Sequence, residues 1–395
     1  MNNWIINFSR LPAVYLLVVA LVILNIAKFW GSFLLGLNHQ LFTLIQTILP
    51  LFILILVWKK KSNRNVTKIA WIFIFYHTVR LCAELIVLLL TEFSFALFVG
   101  IVFAYIRVMV LFALFMLLCL RLRGSERYFS LLIGYFFYTS LFSILQLPFS
   151  PVSQIFGSYG GNITSGNGLG FFRANGGLGG TVIMYSNYLF STFLLLYYGV
   201  QNNKMVQGLL WCVFLVAFFL CFSRSLFVSI FTIMIVHFCV KKPLYFLVVG
   251  LMCFVLFIDN WALIFGTYTD MIGSSDAGRV LSWRLILQDF NILGAILGYR
   301  SGANTGLFIE GASKITADGF LLSWYYDYGL VGLGLFLSLL WKAICETGIA
   351  SVGRIAIFLA LMLMLFVNSG FDKMFTVVLL FVTLMVLKAQ TFSVK

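Results

Sequence analysis

Four arginines lie in two long segments between apolar runs, and their expected chemistry there is anion binding. One segment contains Arg279, Arg284 and Arg300, and the other, the glycine-rich stretch 157–180, contains Arg173. A guanidinium group donates two parallel hydrogen bonds to phosphate oxygens, and glycines let backbone N–H groups approach an anion closely. The pattern indicates a phosphate or diphosphate site. Two simpler roles stay open, anchoring by Arg and Trp at a membrane interface and a flexible connection.

Arg224 lies in the sequence Cys221-Phe-Ser-Arg-Ser225, a tight turn between two apolar runs. A new helix is expected to begin at this turn, and its N–H groups together with a guanidinium group make a phosphate site. The alternative is an arginine that only extends from a helix end to the membrane interface.

Two aspartates lie next to or within the apolar run 320–341. Asp318 is at its start, where a carboxylate facing arginines could accept a proton from a substrate hydroxyl; its alternative role is a helix N-cap. Asp327 lies inside the run, where a charge is usually functional or paired. Arg80 and Glu84, one helical turn apart, and Arg107 in the next run predict a buried charge cluster of mainly structural purpose.

The elements that must position these residues are membrane helices. Of the 395 residues, 62% are hydrophobic and 10% are charged, which excludes a soluble globular domain. A crossing needs roughly 20 apolar residues. The sequence predicts a single all-α polytopic membrane domain over residues 1–395, with about 12 transmembrane helices, at 11–27, 40–58, 69–90, 94–120, 129–147, 181–200, 205–222, 225–240, 244–265, 320–341, 353–370 and 374–390.

The basic residues orient these helices. When both termini are placed in the cytoplasm, most Lys and Arg residues fall in short inner loops, as the positive-inside rule requires. This rule also accounts for the net charge of +14 without a nucleic-acid partner. Only two outer loops are long, 148–180 and 266–319, and such loops usually have a function. The seven cysteines form no metal-ligand pattern, and the sequence contains no metal or cofactor motif.

Four short motifs resemble the superfamily of O-antigen ligases and O-antigen polymerases (Wzy). They are Ser223-Arg224, the Gly-Arg…Trp-Arg pattern of residues 278–284, the Asp318…Asp327-Tyr-Gly329…Gly332 span, and Arg173-Ala-Asn-Gly176 followed by Tyr185-Ser-Asn187. The resemblance covers roughly residues 165–340. It implies a glycosyltransferase of the GT-C type that acts on undecaprenyl-diphosphate-linked sugars at the periplasmic face of the bacterial inner membrane.

The resemblance also implies a role for each candidate residue. Asp318 would be the base and Arg279 would act on the leaving diphosphate, which Arg173, Arg224, Arg284 and Arg300 would help to bind, without a metal ion or cofactor. Asp327 and Asn187 would support the site. The partners would be a lipid-linked donor and acceptor, membrane lipids and a chain-length regulator protein.

Three functions remain open at the level of sequence. Ligases of this superfamily usually carry His where this chain has Asp318, so the resemblance favours a polymerase that joins repeat units. The first alternative is a ligase that transfers the polysaccharide to lipid A–core. The second is a polysaccharide flippase or other transporter that forms no bond.

Overall fold

The helices follow the apolar runs of the sequence. A computed structural model describes residues 14–28, 30, 42, 45–46, 48–52, 64–90, 95–118, 125–146, 164–166, 169–171, 182–199, 204–221, 223–242, 291–299, 319–367 and 374–393. The described helices are α1 (Val14–Lys28), α2 (Arg64–Leu90), α3 (Phe95–Leu118), α4 (Ser125–Leu145), α5 (Val182–Tyr198), α6 (Lys204–Cys221), α7 (Arg224–Lys241), α8 (Ile292–Leu297), α9 (Phe320–Cys345), α10 (Ser351–Val367) and α11 (Met374–Ser393), with a short 3₁₀ turn at Leu49–Leu51.

Five of the described helices are long and apolar enough to cross a membrane, and the chain is a helical membrane protein, as predicted. The five apolar stretches are Lys68–Leu90, Phe98–Leu118, Glu126–Leu145, Lys204–Cys221 and Phe320–Cys345. Every predicted run coincides with a described helix except two. The run 40–58 lies mostly outside the described residues, and 244–265 lies entirely outside them. The number of crossings and their orientation stay predictions.

Helix α11 lies in the middle of the helix packing. Every residue from Phe375 to Lys388 is buried, because a helix that is apolar on all sides gains most from burial on all sides. It packs mainly against α5, α4 and α3, and residues 110–118 of α3 are buried as well. By contrast, only 22% of the residues in the crossing segments of α2 and α6 are buried, as is expected for helices in contact with lipid.

The first long loop contains a short β-hairpin that the all-α prediction did not include. Strand β1 (Thr164–Gly166) pairs antiparallel with β2 (Leu169–Phe171), and Ser165 lies opposite Gly170. The two residues between the strands are Asn167-Gly168, the dipeptide most favoured in two-residue hairpin turns. The sequence therefore contained the signal for this hairpin.

A partly buried ion pair joins the ends of three helices. The Lys388 ammonium group in α11 lies 2.9 Å from the Glu346 carboxylate, directly after α9, and donates a hydrogen bond of 2.7 Å to the Leu118 carbonyl in α3. Lys388 is only 7% exposed. These two contacts therefore help to offset the loss of solvation of the Lys388 ammonium group.

Glu346→Leu is expected to lower the free energy of unfolding by about 2–3 kcal/mol, because it removes the carboxylate that faces the buried Lys388 ammonium group. The double variant Glu346→Leu/Lys388→Met should be more stable than the single one, since an apolar pair replaces the ion pair. Thermal unfolding in detergent measures both effects. Lys241→Met, at an exposed position, is the control. A double variant less stable than Glu346→Leu would contradict this account.

Candidate functional site

Helix α9 is interrupted at Gly329. This residue has φ 66° and ψ −172°, so the helix consists of two segments, 320–328 and 330–345. A backbone with positive φ favours glycine, which has no Cβ. The run 320–341 was predicted as one uninterrupted helix, and that prediction is wrong at this residue. The break leaves carbonyl groups of the first segment without partners inside the helix.

The turn after α8 fills the space beside the break. Gly298 ends α8 with φ 93°, and a Cβ on Gly298 would overlap the Asp327 carbonyl. A Cβ on Gly329 would likewise overlap the Ile296 carbonyl. The Tyr299 N–H donates a hydrogen bond of 2.8 Å to the Tyr326 carbonyl. The two glycines therefore allow backbone to pack directly on backbone at this point.

Two side chains of α2 donate hydrogen bonds to the carbonyl groups that meet between the break and the α8 turn. The Tyr76 hydroxyl lies 2.8 Å from the Tyr328 carbonyl and 3.1 Å from the Leu297 carbonyl. The Arg80 guanidinium donates a hydrogen bond of 3.2 Å to the Gly298 carbonyl. The C-terminal end of a helix carries partial negative charge, and irregular backbone at membrane depth needs such partners. This arrangement explains why an arginine is stable inside α2.

Arg80 also forms the predicted ion pair. Its guanidinium lies 2.9 Å from the Glu84 carboxylate, and the two side chains are 11% and 14% exposed. The Arg80–Glu84 pair is thus confirmed. Arg107 lies in α3, which packs against α2, and its place in the predicted cluster stays a prediction.

An aromatic cluster packs between the first segment of α9 and α2. The ring of Tyr328 lies 4.5 Å from the rings of both His77 and Trp324, measured between centroids. The Trp324 indole N–H donates to the Gly332 carbonyl at 3.2 Å, across the break. These contacts connect both segments of α9 to each other and to α2, so the break has a defined geometry.

A pocket of about 820 Å³ opens between α2, α3 and the α8 turn. Its volume is in the range of small-molecule sites, which are mostly apolar with a few polar groups that converge on the ligand. The lining residues are Tyr76, Val79, Arg80, Ala83, Glu84, Val87, Leu88, Ile101, Asn291, Leu293, Gly294, Leu297, Gly298 and Tyr299. Within the described part of the chain, His, Cys, Asp and Glu side chains form no group of three or more that could hold a metal ion.

Five of the predicted site residues lie outside the described residues: Arg173, Arg279, Arg284, Arg300 and Asp318. Two of them nevertheless adjoin the site along the chain, because Arg300 follows the pocket residue Tyr299 and Asp318 precedes α9. The N-cap of α9 is Gly319, whose carbonyl accepts the first helical hydrogen bond, from Ser323. Gly319 thus occupies the N-cap position of α9, and the role of the Asp318 side chain stays a prediction.

The remaining three predicted residues are in the helices. Arg224 is the first residue of α7, where a helix N-terminus was expected, and the structure describes only its backbone. Asp327 is 7% exposed and directly precedes the break region. Asn187 is 5% exposed in α5, does not line the pocket, and its amide has no hydrogen-bond partner among the described residues.

The sequence did not indicate Tyr76, Asn291 or Tyr299 as site residues. Asn291 had a local signal, since Asn is a favoured N-cap and its side chain accepts a hydrogen bond of 2.6 Å from the Gly294 N–H.

The chain matches no known family model, and no characterised protein was found to be related to it in sequence.

Gly329→Ala is expected to destabilise the protein by more than about 2 kcal/mol, because it combines a strained backbone conformation with overlap against the α8 turn. Gly334→Ala, in the second segment of α9, is the matched control. A Cβ at Gly334 meets no atom within 4 Å, and alanine favours a helix by up to about 1 kcal/mol. Thermal unfolding compares the two variants. Equal melting temperatures would show that the break is not a requirement of the fold.

Proposed function

We propose that this protein is a GT-C-type glycosyltransferase that polymerises undecaprenyl-diphosphate-linked repeat units of an O-antigen or similar surface polysaccharide. The reaction would take place at the periplasmic face of the bacterial inner membrane, with both termini in the cytoplasm. A donor and an acceptor lipid-linked oligosaccharide would be the substrates, and a chain-length regulator would be the protein partner.

The observation that carries this proposal is the pocket beside the interrupted helix. It is large enough for a ligand, and it is lined by an ion pair in a region of apolar helices. Charged residues in such helices usually indicate a substrate pathway or a functional site. In the sequence, Arg279 and Arg284 shortly precede the pocket residues 291–299 and Arg300 directly follows them, while Asp318 lies two residues before the interrupted helix. This connectivity supports one site composed of both.

The proposed reaction needs no group outside the chain and its substrates. A hydroxyl of the acceptor sugar attacks the anomeric carbon of the donor and forms the new glycosidic bond. The bond from that carbon to the diphosphate breaks, and the electron pair leaves with the diphosphate. Asp318 takes the hydroxyl proton. Arg279, assisted by the other arginines, stabilises the negative charge of the diphosphate.

A transporter is the second candidate, and the broken helix is the observation that favours it. Transporters often place substrates at interrupted helices, where half-helix ends and unwound carbonyl groups meet the ligand. In this chain, however, Tyr76 and Arg80 already bind the carbonyl groups near the break. This occupancy favours a fixed structural break over an open coordination site.

The test is chain extension by the purified protein in lipid vesicles that contain a lipid-linked repeat unit. We expect longer oligosaccharides that are still attached to undecaprenyl diphosphate. Transfer of the glycan to added lipid A–core would identify a ligase. Movement of the unchanged substrate across the vesicle membrane, with no new bond, would identify a transporter.

A further inference from the structure

The ion pair in the pocket offers no net charge to a ligand. One nitrogen of the Arg80 guanidinium lies 2.9 Å from the Glu84 carboxylate, and another donates to the Gly298 carbonyl. A phosphate placed against this guanidinium would also approach the carboxylate, and like charges at that distance repel. The pocket is therefore poorly suited to the diphosphate of a lipid-linked substrate.

The polar groups of the pocket suit hydroxyl groups instead. An ionised carboxylate has about four acceptor sites, so Glu84 can accept a hydrogen bond from a ligand hydroxyl in addition to its contacts within the protein. The Tyr299 hydroxyl accepts a hydrogen bond from the Asn291 N–H at 3.2 Å, and its own proton can be donated. The ligand that fits is thus uncharged and carries several hydroxyl groups.

A hydrocarbon chain is a poorer occupant than a sugar ring. The aliphatic side chains of Val79, Ala83, Leu293 and Leu297 would accept either one. A hydrocarbon chain, however, would cover the Arg80–Glu84 pair without replacing the solvation that the two charges lose. Ring hydroxyls replace that solvation with hydrogen bonds, while the C–H faces of the ring contact the aliphatic wall.

We infer that this pocket binds an uncharged sugar unit of the lipid-linked glycan, with Glu84 as an acceptor for a ring hydroxyl, and that the diphosphate is bound elsewhere. This inference rests on the proposed function. It separates the recognition of the sugar from the recognition of the phosphate. The arginines of the long loops would then serve the phosphate, and the Arg80–Glu84 pair would serve the sugar.

Photolabelling with a neutral glycoside tests the inference without requiring activity. The full-length protein in lipid nanodiscs is irradiated with decyl glucoside or decyl galactoside that carries a diazirine on the sugar ring, and the labelled residues are mapped. We expect labels in the segments 76–88 and 291–299. Unlabelled glycoside at a concentration that fills at least four fifths of the sites should reduce the labelling of these segments at least about fivefold, because at most one fifth of the sites is left to the probe. Decyl phosphate should compete much less.

Two variants test the assignment of Glu84. Glu84→Gln should reduce pocket labelling about tenfold at a subsaturating probe concentration, the loss expected for one hydrogen bond to a charged group. Glu126→Gln, at an exposed position in α4, should change nothing. If Glu84→Gln does not fold, Leu293→Trp takes its place. Leu293 is 71% exposed, so a larger side chain there should obstruct the pocket without disturbing the core.

The outcomes distinguish this inference from the proposed function. Equal competition by decyl phosphate, or labels spread evenly over the exposed face of α6, would overturn the sugar site. Absence of pocket labelling in a preparation that extends chains would do the same while leaving the polymerase proposal intact. Specific pocket labelling in a protein that forms no glycosidic bond would overturn the polymerase and leave a neutral glycoside site.

Discussion

Arg279→Lys is expected to slow chain extension almost as strongly as Arg279→Ala, by about 10²–10³-fold, the usual cost of losing one preorganised donor that stabilises a transition-state charge. Lysine keeps the positive charge but cannot form two parallel hydrogen bonds to the leaving diphosphate. The initial rate of chain extension and the polymer length, both at matched protein level, measure the effect. The membrane-anchor interpretation predicts the opposite, because lysine would anchor as well as arginine.

Arg127→Lys is the matched control, since Arg127 is exposed near the start of α4 and has no proposed role in the reaction. It should extend chains at the normal rate. We expect the same order of effects at Arg224 and Arg173, and we rank Arg284 and Arg300 below these two. Full-length polymer from Arg279→Lys would remove Arg279 from the reaction and return it to an anchoring role.

The helices could be predicted from sequence because their signal is local. A run of apolar residues such as 98–118 in α3 is long enough to cross a membrane wherever it occurs in the chain. The Arg80–Glu84 pair was predictable for the same reason, since residues four positions apart lie on one face of a helix. Both features depend only on nearby residues and on the helical period.

The break in α9 and the pocket could not be predicted, because they depend on residues far apart in the chain. The apolar pattern continues through Gly329, and a single glycine is tolerated within a helix. What fixes the break is the α8 turn together with Tyr76 and Arg80. The hydrogen bond from Tyr76 to the Tyr328 carbonyl spans 252 residues, and that from Arg80 to the Gly298 carbonyl spans 218. A periodicity within one segment contains no information about such contacts.

Asp318→Asn is expected to reduce chain extension by about 10²–10⁴-fold, the contribution typical of a general base. Asparagine has nearly the same shape and hydrogen-bonding capacity as aspartate but cannot take the hydroxyl proton. Because Gly319 is the N-cap of α9, the variant should leave expression and thermal stability close to the normal values. Asp318→Glu, which keeps a carboxylate, should retain more activity than Asp318→Asn.

The chain-extension rate and the melting temperature of Asp318→Asn together decide whether the reaction uses a base at this position or proceeds without one. A large loss of rate at unchanged melting temperature would require a carboxylate at this position. Near-normal chain extension would show that sugar transfer proceeds without this base, and that stabilisation of the departing diphosphate by arginine carries the reaction. Asp327 is then the next carboxylate to test. It is buried beside the break, so Asp327→Asn would test whether this buried carboxylate, rather than Asp318, supplies the base.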